Sequence, residues 1–133
     1  QEALVQIPSL RPLLNRYVLV HYGQVARTGA CNGRHDIPQR LARWLLMGHD
    51  RAQGDTYPMT HEFLGMMLGV RRAGISVAAA VLQRAGLIRY GVGKITITDR
   101  PGLENASCEC YGVTRRASER LFGLNGNRAP YRR

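Results

Sequence analysis

Arginine supplies most of the chemically active side chains in this sequence. The 133 residues contain 18 Arg and one Lys against nine Asp and Glu, which gives a formal net charge of +10 at pH 7. Such a charge favours binding to a polyanion, and the planar guanidinium group pairs well with phosphate oxygens and guanine edges. Codon bias in a GC-rich genome explains an arginine excess equally well. The charge therefore favours a nucleic-acid partner without identifying one.

Two short helices around a glycine turn are predicted between Thr60 and about Ala85. Thr60 is a favourable N-cap for the first helix, and Gly69 ends it. The second helix begins at Arg71, and one of its faces is apolar at helical spacing: Ile75, Ala78, Ala79 and Leu82. This pattern is typical of a helix-turn-helix, whose second helix enters the major groove of DNA.

The opposite face of this second helix, about residues 71–85, is expected to meet base edges. The side chains predicted to contact bases are Arg72, Ala73, Ser76 and Val77. Arg72 is the strongest candidate, because two hydrogen bonds from a guanidinium to guanine discriminate against other bases by about 1–3 kcal/mol. Ala73 and Val77 either contact thymine methyl groups or only cover the helix surface.

A β-hairpin follows the second helix and is expected to form a wing beside it. Apolar and polar residues alternate on both sides of Gly91-Val92-Gly93, which predicts two strands. Phosphate contacts are predicted from the wing and from the helix-turn-helix: Thr60, Arg71, Arg89, Tyr90 and Lys94. A single surface arginine is as often a solvated charge as a phosphate contact.

One long helix is predicted from Ser9 to about Cys31, because Pro12 lies in its first turn and no further proline interrupts it. At 1.5 Å per residue the helix is roughly 33 Å long, more than a small domain needs for its own packing. Its apolar residues form two adjoining stripes, which predict a dimerisation surface: Leu10, Leu13, Leu14, Tyr17, Val18, His21 and Val25. The alternative is an ordinary buried helix in a monomer.

The remaining segments predict two further helices and a loop. After a break at Asn32-Gly33, Asp36 caps a helix that runs to about Gly48. The polar stretch from His49 to Pro58 is predicted to be a loop. Pro101 opens one continuous helix to about residue 123, and the residues after it are expected to fray.

No metal site is expected from the three cysteines, Cys31, Cys108 and Cys110. On a continuous helix the last two side chains point about 200° apart, so they cannot share one ion. The four histidines, at positions 21, 35, 49 and 61, lack the spacing typical of a zinc site. An odd number of cysteines in a sequence without a secretory leader favours ordinary thiols in a reducing cytoplasm.

The helix-turn-helix segment resembles the Crp/Fnr (catabolite activator) family of transcription regulators. Its pattern T-x-E-x-L-x-x-x-L-G-V-x-R is present as Thr60, Glu62, Leu64, Leu68, Gly69, Val70 and Arg72. The pattern L-x-x-x-G-L-I follows as Leu82, Gly86, Leu87 and Ile88, ahead of the basic hairpin. The resemblance covers roughly residues 9–99. The family often has a glutamate directly after the arginine and a second arginine further along, where this sequence has Ala73 and Val77, so we expect an unusual operator.

The resemblance implies a mainly α fold with a small β-hairpin wing. Residues 1–33 would form the dimerisation helix, at the end of an N-terminal sensor domain that we expect to be missing from this chain by truncation or proteolysis. Residues 34–123 would form the winged helix-turn-helix domain with a C-terminal helix, and 124–133 a flexible tail. In the family an effector binds the sensor, so no cofactor is expected in this chain, and the effector stays unidentified.

We therefore expect a sequence-specific DNA-binding regulator that acts as a homodimer on a palindromic operator in the bacterial cytoplasm. RNA polymerase is a further possible partner, and a membrane is not. The alternative is a non-specific basic nucleic-acid or RNA-binding module, although no surface strand with stacked aromatic rings is predicted. A dimer that binds protein instead of DNA is a third hypothesis. Enzyme function is not expected, because paired carboxylates, a nucleophile elbow and a phosphate-binding glycine loop are all missing.

Overall fold

The computed structural model describes residues 7–121, which form six helices and three strands. The helices are α1 (Leu10–Arg34), α2 (Ile37–His49), α3 (His61–Leu68), α4 (Arg72–Arg84), α5 (Arg100–Ala106) and α6 (Cys110–Leu121). The strands are β1 (Thr56–Pro58), β2 (Ile88–Gly91) and β3 (Lys94–Ile97). The chain divides into two compact units, one formed by Ala30–Tyr111 and the other by the residues on either side of that range. The predicted fold class, a winged helix-turn-helix after a long helix, is confirmed.

Side-chain caps start α2 and α3 where the sequence predicts them. Asp36 accepts a hydrogen bond from the Gln39 N–H at 2.9 Å, and Thr60 accepts one from the Phe63 N–H at 3.1 Å. Each cap satisfies a backbone donor that has no partner inside its helix. Local chemistry is therefore sufficient to place both helix starts.

The turn between α3 and α4 depends on two glycines. Gly69 ends α3 in the left-handed conformation, with φ of 64°, and the Val70 N–H donates to the Gly65 carbonyl at 2.9 Å. A Cβ on Gly65 would lie 2.9 Å from the Val70 carbonyl oxygen, so no larger residue fits there without a shift. These glycines allow the chain to bend by 106° between α3 and α4.

The apolar core lies between α2, α3, α4, α5 and the sheet. Its fully buried side chains include Leu41, Leu45, Leu46, Leu64, Leu68, Ile75 and Leu103. The largest helix contacts join α2 to α4 and α5, and α3 to α4. Among residues 7–121, no single helix is long and apolar enough to cross a membrane, and α3 and α4 reach that length and apolarity only when taken together across their bend.

The sheet contains a strand that the sequence does not predict. Its order is β1-β3-β2, with both pairs antiparallel, so part of the predicted loop from His49 to Pro58 is a third strand. Tyr57 is buried, and its hydroxyl donates to the Leu45 carbonyl at 2.6 Å. Three residues are too short to show an alternating pattern, so pairing with β3 and the anchored tyrosine determine this strand.

The C-terminal part is not the single helix that the sequence predicts. Residues 107–109 separate α5 from α6, and Ser107 is extended, with φ of −81° and ψ of 160°. Its hydroxyl donates to the Glu104 carbonyl at 2.8 Å, a local bond that competes with continuation of the helix. The predicted end of the helix at residue 123 and the tail at 124–133 lie outside the described residues.

The long helix extends further than expected, to Arg34 instead of about Cys31. The predicted break at Asn32-Gly33 is wrong, because the Asn32 side chain is used in tertiary contacts. Its oxygen accepts from the Arg40 Nε at 3.1 Å, and its nitrogen donates to the Met67 carbonyl at 3.4 Å. The helix α1 therefore continues through Asn32 and does not end there.

Candidate nucleic-acid interface

The two faces of α4 differ as the sequence predicts. The residues predicted to point inward are at most 3% exposed: Ile75, Ala78, Ala79 and Leu82. The opposite face is exposed and carries the predicted base-contacting residues, Arg72, Ala73, Ser76 and Val77. Val77 is 67% exposed although its side chain is apolar. The outer face of α4 is therefore an accessible strip with a large cation at its start and small side chains after it.

Arg71 and Arg72 lie next to each other at the start of α4, and both are exposed. Arg71 occupies the N-cap position but makes no capping hydrogen bond with its side chain. In the described part of the chain, no ion pair involves either guanidinium. Neither charge is neutralised within residues 7–121, and the nearby N–H groups of a helix start add positive potential.

His61, to which the sequence analysis assigns no role, links α3 to α4. Its Nδ1 lies 3.0 Å from the Ser76 Oγ, and the Ser76 hydroxyl donates to the Arg72 carbonyl at 3.2 Å. The serine oxygen is then free to accept from a protonated Nδ1 of neutral His61. Burial and the positive charge of Arg72 lower the pKa of His61 below its usual value. No sequence signal marks this contact, because it joins residues of two helices across the turn.

Tyr90, a predicted phosphate contact, is half-buried and engaged inside the domain. Its ring stacks on the ring of His61, with 3.9 Å between the centroids. Its backbone N–H donates to the Gln83 Oε1 at 2.6 Å, and its hydroxyl points to the Met59 carbonyl at 3.4 Å. These contacts give Tyr90 a role in holding the wing against the helix-turn-helix.

The other predicted phosphate contacts lie at the surface. Arg89 and Lys94 are exposed on β2 and β3, and Val92 is fully exposed at the hairpin tip. Thr60 is exposed as well, and its oxygen is used as the cap of α3, which leaves its O–H as a donor. The first N–H groups of α3 lie beside this donor, an arrangement suited to a phosphate.

The apolar side chains of α1 are largely uncovered in the single chain. The predicted dimerisation residues Leu13, Leu14, Tyr17, Val18 and Val25 are between 42% and 60% exposed. His21 is exposed, Leu10 is partly exposed, and the His21 ring stacks on the Tyr17 ring with 5.9 Å between centroids. Leu19 and Tyr22, which the prediction omits, are 70% and 72% exposed. An apolar surface of this extent is typical of a protein-binding site.

The three cysteines are not separated as the sequence analysis expects. Cys108 lies before α6 and Cys110 is its first residue, so the two are not on one continuous helix. The ligand atoms of Cys31, His35, Cys108 and Cys110 all lie within 4.8 Å of one another. The geometric reason for excluding a shared metal ion is therefore wrong.

Comparison with known proteins supports the interpretation of the helix-turn-helix. A sequence family described as the Crp-like helix-turn-helix domain matches residues 39–106. A comparison with curated proteins found no match. The matched range contains α3, α4 and both strands of the wing.

Several solved structures share the fold. A CRP-family transcriptional regulator from Thermus thermophilus has a TM-score of 0.59 and 24% identity over 65% of this chain and 47% of its own. A regulator of the Crp/Fnr family from Eubacterium rectale has a TM-score of 0.61 and 23% identity over 77% of this chain and 48% of its own. A CRP/FNR-family regulator, also from Thermus thermophilus, has a TM-score of 0.55 and 22% identity over 71% of this chain and 50% of its own.

The chain thus spans about half the length of the solved structures that it matches. At these identities the structural similarity shows the fold, and the family match shows the relationship. The chain therefore belongs to the Crp/Fnr family of transcription regulators, through its Crp-like helix-turn-helix domain.

Proposed function

We propose that this chain binds a specific DNA sequence as a homodimer and regulates transcription in the cytoplasm. The observation that carries the proposal is the outer face of α4, where Arg72 heads an exposed strip with no ion pair within the described residues. A helix presented in this way fits the major groove, and its first residues then reach base edges.

Sequence recognition is assigned to Arg72, Ala73, Ser76 and Val77. Arg72 contributes two hydrogen bonds to a guanine, and the methyl groups of Ala73 and Val77 contact thymines. The small side chains after Arg72 allow the helix axis to approach the base pairs closely. Ser76 has a second role, because its bond to His61 holds the recognition helix on α3.

Phosphate binding is assigned to Thr60, Arg71, Arg89 and Lys94, all of which are exposed. These residues occur at the start of each helix of the helix-turn-helix and on the wing, so they set the position of α4 on the duplex without reading its sequence. For a dimer that neutralises six to ten phosphates, we expect affinity to fall about 10³- to 10⁵-fold between 50 and 200 mM salt.

Dimerisation is assigned to α1, because most of its large apolar side chains between Leu13 and Val25 are exposed, along a length of about 18 Å. Two copies paired along this surface would place two recognition helices on a palindrome, with half-site centres about 34–36 Å apart. Sedimentation of the purified chain tests this step. Val18→Asp puts a charge on the surface and is expected to give monomers, whereas Arg16→Ala is the control on the same helix and is expected to stay dimeric.

We further propose that this chain binds its operator without an effector, because the family places effector binding in a separate sensor domain. Titration of operator DNA with and without candidate nucleotides tests this point. Ligand-dependent binding by this chain alone would contradict it.

The decisive experiment selects bound sequences from a random DNA library and then measures competition with bulk DNA. A palindromic consensus with a specificity ratio above about 10³ supports the proposal. A ratio near one with no consensus would instead support the non-specific nucleic-acid module. The same selection with an RNA library shows whether the chain binds RNA in preference to DNA.

A further inference from the structure

Four side chains with metal-binding atoms meet near the end of α1. Cys31 lies in the last turn of α1, His35 directly follows that helix, and Cys108 and Cys110 lie at the junction of α5 and α6. Their sulfur and imidazole nitrogen atoms all lie within 4.8 Å of one another. We propose that these four side chains bind one structural Zn²⁺ ion.

Two of the distances between the ligand atoms are close to the edges of a tetrahedron around a single ion. A Zn–S bond of about 2.3 Å implies sulfur atoms about 3.8 Å apart in a tetrahedral site. The Cys31 and Cys108 sulfurs are 3.5 Å apart, and the Cys110 sulfur lies 3.9 Å from the His35 Nδ1. A disulfide requires a sulfur–sulfur distance of about 2.05 Å, and none of the three cysteines takes part in one.

The orientation of His35 is an independent observation that points to a metal. Its Nδ1 faces the sulfur of Cys110, while its Nε2 lies 3.2 Å from the Glu109 carboxylate. Histidine ligands of metals commonly donate the N–H of their other ring nitrogen to a carboxylate, which fixes the tautomer and the ring orientation. Glu109 thus positions His35 and is not itself a ligand.

The surroundings suit a buried, charged complex. The three cysteines are between 1% and 5% exposed, and the side chain of His35 is 13% exposed. Three thiolates, one neutral imidazole and Zn²⁺ carry a net charge of −1. Arg43, which is fully buried on α2, lies close enough to Cys31 for its positive charge to act on that thiol. The same guanidinium would compensate the charge of the loaded site.

The donor set favours zinc over an iron–sulfur cluster and a structural role over catalysis. Cysteines that hold an iron–sulfur cluster bind different iron atoms and lie further apart than ligands of one ion. Four protein ligands leave no open position for a substrate. The ion would join segments 77 residues apart, as counted from Cys31 to Cys108, within the unit Ala30–Tyr111.

The test begins with metal analysis of the full chain purified without chelators. We expect one zinc per chain. After removal of zinc with a chelator under reducing conditions, titration with Co²⁺ should reach a strong thiolate absorption at one equivalent, with the spectrum of a tetrahedral site. The proposal is overturned if the purified chain contains no zinc and shows no cobalt absorption on titration. It is also overturned if the purified chain contains a disulfide, or iron together with acid-labile sulfide.

Variants identify the ligands. His35→Gln should weaken zinc and cobalt binding by at least tenfold, whereas His35→Cys should restore binding because a thiolate replaces the imidazole. Arg16→Gln is the control, since Arg16 is exposed on α1 and belongs neither to the proposed ligands nor to the dimerisation surface, and it should bind metal as the original chain does. Equal metal binding by His35→Gln and Arg16→Gln overturns the assignment.

A measurement on the unaltered chain covers the case in which these variants fail to fold. Chelation should lower its Tm, and added Zn²⁺ should restore it, because the ion binds only the folded state. A Tm that neither treatment changes contradicts the proposal. None of these readouts involves DNA, so their outcome is independent of the proposed DNA binding.

Discussion

Arg72 and Arg100 have the same side chain and opposite surroundings. Arg72 is exposed at the start of α4 and takes part in no ion pair among the described residues. Arg100, with a side chain 24% exposed, binds the Asp50 carboxylate at 2.6 Å and the Glu104 carboxylate at 3.0 Å. It also donates to the Tyr111 hydroxyl and to the His49 Nδ1. One guanidinium is directed to solvent, and the other connects α2, α5 and α6.

This contrast shows that the net charge alone is a poor indicator of DNA binding. Arg40 and Arg43 belong with Arg100, since they are 7% and 0% exposed, and Arg40 donates to the Leu68 carbonyl and the Asn32 side chain. An arginine buried in this way stabilises the domain and does not reach a phosphate. The +10 charge of the sequence therefore overstates the positive charge at the surface of the domain.

The largest expected effect is on stability, from Arg100→Ala. The change leaves the Asp50 carboxylate without its strongest partner, and we expect a loss of about 2–4 kcal/mol in the free energy of unfolding. Urea denaturation measures this loss. The exposed Arg84→Ala is the control and should change stability by less than about 0.5 kcal/mol. Similar stabilities for both variants would show that buried and exposed arginines do not differ in their contribution to folding.

Arg72→Ala should lower DNA affinity and leave the stability of the domain almost unchanged. We expect operator affinity to fall by about 1–3 kcal/mol for each half-site, roughly 5- to 150-fold per lost contact, with preference lost at one base pair of each half-site. Stability should stay within about 0.5 kcal/mol of the original. Binding assays on the selected operator and on its single-base variants measure both effects. Unchanged affinity would mean that α4 does not read bases through this residue.

Arg71→Ala and Lys94→Ala test whether the exposed cations other than Arg72 contact phosphates. Each should weaken binding to all sequences to a similar degree, because phosphate contacts carry no sequence information. The slope of log K against log salt should decrease by about 1 for each lost contact, or about 2 for a dimer. A change in sequence preference with an unaltered slope would assign these residues to base reading.

The smallest effect concerns pH and His61. Its pKa is lowered in the folded chain by burial and by the charge of Arg72. As the pH falls below about 6.5, the usual value, the unfolded chain takes up a proton that folded His61 still resists, so stability decreases. His61→Gln should make the urea midpoint less sensitive to pH between 7.5 and 5.5. Identical pH profiles for the two chains would show that His61 contributes nothing to this dependence.

Much of the helix-turn-helix could be predicted because its signals are local. A cap such as Thr60 bonds to an N–H three residues away, and Gly69 favours the left-handed conformation without help from distant residues. The inward and outward faces of α4 follow from helical periodicity alone. The exposure of Arg72, Ala73, Ser76 and Val77 was therefore predicted correctly. Their contacts with DNA stay predictions.

The features that sequence analysis missed depend on residues far apart in the chain. β1 needs β3 as its partner, and Tyr57 anchors it through the Leu45 carbonyl. The interruption between α5 and α6 removes the 200° separation assumed for Cys108 and Cys110. Cys31 and His35 have the four-residue spacing that places two ligands on one side of a helix, but this spacing has no meaning without the distant cysteines.

Local signals in the sequence specify the helix-turn-helix, its glycine turn and the exposed face of α4, because hydrogen bonds and periodicity over a few residues are enough to define them. Long-range packing specifies which arginines are buried, where the third strand forms and how Cys31, His35, Cys108 and Cys110 come together. Those outcomes depend on packing between segments whose separation along the chain reaches 77 residues. Local propensities carry no information about such contacts.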